Sequence, residues 1–181
     1  MNDPHRPVRP QLSHVGIFAI DLDTLVPFYE RMLGMLVTDR GTLAPGVEIV
    51  FMSSTPEQHH QLVLVSGRAP DARSTVNQLA FRVNDLEELQ AYARFLSSFD
   101  GIPVRPLSHG NAWSLYFEDP ERNRIEIYCD TPWYASQPCA LPVDLGDGDR
   151  LQADTEALIE QDPSGVPVEQ WQADFARRLQ G

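Results

Sequence analysis

The hydrophobic positions along this chain change period several times, and the order of the changes repeats. Leu12 to Ile20 alternates apolar and polar residues and ends at Asp21, the mark of a half-buried strand. "LDTLVPFYERMLG" follows, with Leu22, Leu25, Val26, Tyr29, Met32 and Leu33 at helical spacing and Gly34 as a C-terminal stop. Three short strand candidates come next, "MLVTDRG", "VEIVFMSS" and "HQLVLVSG", each bounded by turn residues. After "RAPDARST" the order restarts. "NQLAFRV" reads as a strand, and "NDLEELQAYARFLSSF" as an amphipathic helix with Leu86, Leu89, Tyr92, Ala93 and Leu96 inward. "IPVRPL", "WSLYFED" and "RIEIYCD" supply three more strands.

The pattern is β-α-β-β-β, twice, which predicts an α+β fold. One helix and four strands cannot bury both faces of a sheet. The two modules, 11–66 and 76–130, are therefore expected to form a shared concave mixed β-sheet within one domain of residues 11–130. Residues 1–10, with three prolines, read as a flexible N-terminal arm. From residue 131 the character changes to "TPWYASQPCALPVDLGDGD", then to two short amphipathic helices, "LQADTEALIEQD" and "VPVEQWQADFARRLQ". Residues 131–181 are thus expected to be a helical C-terminal extension packed on the domain, with Trp171, Phe175 and Leu179 on one helix face.

Charge narrows the partners. The 181 residues carry a net charge of −12, which argues against sequence-independent nucleic-acid binding. No apolar run approaches the roughly 20 residues of a membrane span. The opening "MNDPHRPVRPQ" lacks the apolar stretch of a signal peptide. Two cysteines, Cys129 and Cys139, fit a reducing cytoplasm better than a disulfide scaffold.

The repeat keeps its strand pattern and its terminal Asp but not its histidine. "LSHVGIFAID" carries His14 where "VNQLAFRVND" carries Gln78. Alternation puts His14 on one face with Leu12, Gly16 and Phe18. It is there either a ligand or a half-buried histidine satisfied by a carbonyl. In "RIEIYCD", Glu126 points away from Ile125 and Ile127, as a ligand or as a solvent-facing strand glutamate.

The doubled topology, together with "FYERMLGM", "HH" and "SLYFEDPERNRIEIY", resembles the vicinal oxygen chelate superfamily over roughly residues 11 to 130. That superfamily includes glyoxalases, fosfomycin and bleomycin resistance proteins, and type I extradiol dioxygenases; the single-domain extradiol type is the nearest resemblance. The resemblance implies a metal-dependent dioxygenase that cleaves a catechol-like vicinal diol with O2, acting as a homodimer on a small aromatic diol. His14, Gln78 and Glu126 would be the metal ligands, with Fe(II) as the metal and Mn(II) as the alternative. Gln78 departs from the two-histidine, one-carboxylate pattern, and its neutral amide oxygen suits Fe(II) less well and Mn(II) or Mg(II) relatively better. His60, in the pair His59–His60, would be the acid and base. Tyr116, ten residues before Glu126, would hydrogen-bond the substrate oxygen, and His109 would stand on the loop entering that strand. The His59–His60 pair could instead be exposed loop histidines, and Tyr116 a packed core aromatic.

Other members of the superfamily fit less well. A glyoxalase would bring a carboxylate from "QLVLVSG", which offers only Gln61, and Arg73, Arg82 and Arg105 are too scattered to grip a phosphonate. A lyase or isomerase of the same superfamily remains an alternative. So does a metal-free protein holding an aromatic ligand against Trp113, Trp133 and Tyr134.

Overall fold

The computed structural model describes residues 9–180. The arm expected over residues 1–10 therefore lies outside them, except for Arg9 and Pro10, which are exposed and in no regular element. The described chain divides into two compact units. The N-terminal unit comprises residues 9–78 and the turn 118–124; the C-terminal unit comprises residues 79–117 and 125–180.

In the N-terminal unit the elements are β1 (Val15–Ala19), α1 (Leu22–Leu33), β2 (Leu36–Ala44), β3 (Val47–Ser53) and β4 (Leu62–Ser66). The sheet order is β1-β4-β3-β2, with β1 parallel to β4 and the other pairs antiparallel. Register sorts the side chains into two faces. Ile17, Ala19, Leu62, Leu64, Val50 and Met52 are all buried and form the face that meets α1 through Leu25, Val26 and Tyr29. The opposite face carries Gly16 and Phe18, with Phe18 64% exposed.

The strand-ending Asp21 caps α1, its side chain accepting from Asp23 N, and Gly34 closes the helix at φ 63°, a left-handed turn that glycine adopts without strain. The turn 118–124 is fastened within this unit by buried polar contacts. Asp119 accepts hydrogen bonds from Tyr29 Oη, Glu121 N, and Asn123 N and Nδ2. Glu121 accepts from the Ile20 and Asp21 amides and pairs with Arg68 at 3.1 Å. Burial, and then Asp119, pushes the Tyr29 hydroxyl well above the ordinary phenol range. The "DPERN" stretch is thus a structural clasp.

The C-terminal unit contains β5 (Leu79–Arg82), α2 (Leu86–Ser97), β6 (Arg105–Ser108), β7 (Ala112–Glu118) and β8 (Arg124–Asp130). Then come β9 (Trp133–Tyr134), β10 (Leu141–Pro142), α3 (Gly148–Gln161), β11 (Val166–Pro167) and α4 (Val168–Gln180). The main sheet runs β10-β6-β7-β8-β5, with β5 parallel to β8. The repeat is visible in the helix cap as well: Asp85 ends its strand and accepts from Glu88 N. Trp113, Leu115, Phe117, Ile125, Ile127 and Cys129 are buried along one side, and burial lifts the unpaired Cys129 thiol to about 11.

The segment after residue 130 is more regular than its composition suggests. It adds β10 to the sheet edge and pairs β9 with β11. α3 buries Leu151 and Ile159, and its Thr155 hydroxyl accepts from the Trp113 indole at 2.9 Å. Tyr134 stacks on Trp171, and Trp171 on Phe175, at ring distances of 5.0 and 5.2 Å. Trp113 is therefore a core residue and Tyr134 a stacking partner of α4. In the metal-free alternative Trp113 and Tyr134 would line an aromatic pocket, but both side chains are engaged by residues of the tail.

Candidate functional site

Each unit gathers one group of the side chains singled out in the sequence. In the N-terminal unit β1 begins at Val15, so His14 stands just ahead of the strand rather than inside it. β1 and β4 run parallel with Val15 opposite Leu62, which brings the chain just before β4 alongside His14. The His14 and His60 rings meet edge to face at 4.3 Å. His60 also contacts the ring of Phe51 at 5.1 Å and hydrogen-bonds His59, whose far nitrogen lies 2.8 Å from Asp39. Partial burial, and then the neighbouring imidazoles of His14 and His59, hold His60 below the ordinary imidazole value. The resemblance implies His14 as a ligand and His60 as an acid and base near the metal, without naming a contact between them; Asp39 was missed. It stands beside Arg40 in a wholly exposed strand, and nothing in the sequence pattern singles it out.

Gln61 accepts from the amide and hydroxyl of Ser54. It is a loop-tying residue, not a member of this group. Gln78 is half-buried immediately before β5. It stands two residues ahead of Ala80, whose partner in the parallel register is Glu126.

In the C-terminal unit Glu126 is 7% exposed, so the solvent-facing alternative for it falls. Its Oε1 accepts hydrogen bonds from Ser114 Oγ at 2.7 Å and Tyr116 Oη at 2.5 Å. Tyr116 is half-buried on the face opposite Leu115 and Phe117, so it is no packed core aromatic. His109 places Nε2 3.0 Å from the Tyr116 hydroxyl and 3.8 Å from Glu126 Oε1, while its Nδ1 faces the Cys139 carbonyl. The resemblance only puts His109 on the loop entering this strand. The structure joins it directly to Tyr116 and Glu126. Ser114 was missed, although its i, i+2 spacing from Tyr116 on an alternating strand was the signal.

These two groups differ in donor type. One offers imidazoles beside a carboxylate, the other a carboxylate held by hydroxyls and an imidazole. Among the described residues no three His, Cys, Asp or Glu side chains stand close enough to hold a metal ion by themselves. The set His14, Gln78 and Glu126 contains only two such residues, its third donor being an amide.

The sequence pattern of the glyoxalase/bleomycin resistance protein/dioxygenase superfamily matches residues 11–127. The chain belongs to this superfamily. A Bacillus subtilis (strain 168) relative, the uncharacterized protein YwbC, is 26% identical over 122 residues, covering 65% of this chain and 96% of the relative. A glyoxylase/bleomycin resistance protein/dioxygenase domain from Frankia sp. EAN1pec superposes with a TM-score of 0.58 at 21% identity, over 68% of this chain and 100% of that one.

The fosfomycin resistance protein FosX from Listeria monocytogenes, solved with Mn(II) and sulfate, gives a TM-score of 0.53 at 19% identity, over 68% of this chain and 95% of that one. FosX from Mesorhizobium loti gives 0.52 at 20% identity, over 68% and 94%. At these identities the likeness is one of fold, and it bears out the α+β class and the doubled βαβββ topology. The Listeria FosX of this fold holds Mn(II) in its solved structure. The dioxygenase type is not distinguished by these likenesses, nor is Fe(II). No helix among the described residues is long and apolar enough to cross a membrane.

Proposed function

We propose that this superfamily member is a metal-dependent extradiol-type dioxygenase that opens the ring of a small aromatic vicinal diol with O2, acting as a homodimer. The observation that carries the reading is the hydrogen-bonded set of Glu126, Tyr116 and His109. It supplies a desolvated carboxylate and a phenol whose hydroxyl is fixed from two sides.

His14, Gln78 and Glu126 would hold the divalent metal. Their donors, an imidazole nitrogen, an amide oxygen and a carboxylate, suit Fe(II) or Mn(II). Ser114 and Tyr116 fit the outer-shell role, since hydroxyls donating to a ligating carboxylate orient it. When bound, the metal would hold both diol oxygens and favour their ionisation.

The chain's own residues do the proton work. His60, held below the usual imidazole value, is neutral near pH 7 and accepts a proton from a diol hydroxyl. It can return that proton as the ring opens. With substrate bound, Tyr116 would turn its one O–H from Glu126 to the substrate oxygen, where charge accumulates, while Ser114 still donates to Glu126 and His109 keeps the phenol in place.

The amide of Gln78 favours a second reading, a lyase or isomerase that polarises a vicinal oxygen pair on Mn(II) without O2. Oxygen uptake separates the two. Protein purified without air and supplied with Fe(II) or Mn(II) should consume O2 with some member of a catechol panel and yield a ring-opened product. Turnover of a vicinal-oxygen substrate without O2 uptake would replace the first reading with the second. Light scattering at working concentration checks the dimer.

A further inference from the structure

The open face of the N-terminal sheet carries a line of hydrogen-bonded side chains, of which the proposed chemistry uses one end. A register shift between Val37 and Asp39 sets Asp39 opposite Phe51. Cross-strand partners share a face, and a bulge re-aims the side chains beyond it. Phe51 pairs with Val63, and Val63 with Gly16, so Asp39 stands on the same side of the sheet as Gly16 and Phe18.

From Asp39 the line runs back through both histidines. Asp39 Oδ2 is 2.8 Å from His59 Nε2, and His59 Nδ1 is 2.9 Å from His60 Nδ1. Phe51 flanks the pair, its ring 5.8 Å from that of His59 and 5.1 Å from that of His60. The ring of His14 meets His60 at 4.3 Å.

The proton positions follow from which atoms can donate. An ionised carboxylate only accepts, so His59 Nε2 carries the hydrogen of the first link. A neutral imidazole has a single N–H, so His59 Nδ1 is then a lone pair and accepts. The hydrogen of the second link must therefore sit on His60 Nδ1. We infer that Asp39 and His59 are positioning residues that hold neutral His60 in its Nδ1–H tautomer and leave its Nε2 as an open lone pair.

That lone pair is the atom a base needs. An acid–base histidine that flips between tautomers offers the correct nitrogen only part of the time. Which ring nitrogen carries the proton is set by the hydrogen bond the other one makes. Asp39 and His59 are 68% and 55% exposed, so water competes for each link and lowers the preference without reversing it. The inference rests on the proposed function only for the use to which Nε2 is put. The tautomer itself requires neither metal nor substrate nor turnover.

The test is nitrogen NMR of the full-length protein labelled with ¹⁵N-histidine, about two units above the ordinary imidazole pKa so that the rings are neutral. Long-range proton–nitrogen couplings identify the protonated nitrogen, and a His60→Gln spectrum assigns the signals. The wild type should show His60 protonated at Nδ1. Asp39→Ala and His59→Phe should each move the proton to Nε2, the form a ring takes when nothing holds Nδ1–H. A wild-type His60 protonated at Nε2, or an Nδ1–H form that survives both substitutions, would overturn the relay. An inactive protein with the predicted tautomer would sink the dioxygenase reading alone, and an active one without it would sink only the relay.

Discussion

Glu126 and His60 belong to repeats of one βαβββ plan, yet they meet opposite surroundings. The Glu126 carboxylate is buried and held by two hydroxyls, and Ser114 beside it has no exposed surface. His60 is half-exposed, and the residues behind it, His59 and Asp39, are mostly in water. Charge explains the contrast. A carboxylate removed from water must be given donors or it loses its charge, whereas an imidazole loses little by staying wet. In the proposed reading the repeat keeps its backbone plan and divides labour: a buried, hydrogen-bonded carboxylate in one unit, and half-exposed imidazoles in the other.

The largest way to break this contrast is to strip the rigid unit of its cover. Truncation after Asp130 removes Leu145, Leu151 and Ile159, each buried, and the Thr155 partner of Trp113. At about 1.5–3 kcal/mol per buried aliphatic side chain, the loss approaches a typical total stability of about 5–15 kcal/mol. The truncated protein should aggregate or unfold in mild urea. An equally stable, soluble product would show the tail to be dispensable.

His60→Ala should sharpen the contrast from the other side. In the proposed reading it removes a proton carrier but neither a ligand nor core packing, so metal content should hold while turnover falls about 10²–10⁴-fold. Loss of metal on this substitution would make His60 a ligand. A smaller effect is expected at Tyr29→Phe. Asp119 keeps its bonds from Glu121 and Asn123, so losing the tyrosine hydroxyl should cost about 1 kcal/mol of stability, read as a lower urea midpoint, with activity unchanged. A change in turnover at unchanged stability would tie the clasp to the chemistry.

Much of this was legible in residue order. Two changes of period, each ended by an Asp that proves to be a helix cap, give the doubled module. Alternation alone puts Glu126 on the face opposite Ile125 and Ile127. What stayed hidden depends on partners distant in sequence. The Asp39–His59 link spans 20 residues and needs a bulge that no pattern announces. His109 and Tyr116 meet only because β7 turns one face to Glu126, and Trp113 reads as a ligand wall until α3 covers it. "DPERN" was legible as a motif, but its work as a clasp on Ile20, Asp21 and Tyr29 was not.

The central claim, a divalent metal held by His14, Gln78 and Glu126, is tested most directly by metal content and Fe(II) titration of anaerobically purified protein. Three forms are compared: the wild type, Glu126→Ala and Gln78→His. The wild type should bind a divalent ion stoichiometrically. Glu126→Ala should lose it while remaining folded, because the proposed set then has no anionic donor. Gln78→His should bind Fe(II) more tightly, imidazole being the better donor to iron. Equal metal binding by all three forms would contradict the account and leave the repeat's missing imidazole without a role in coordination.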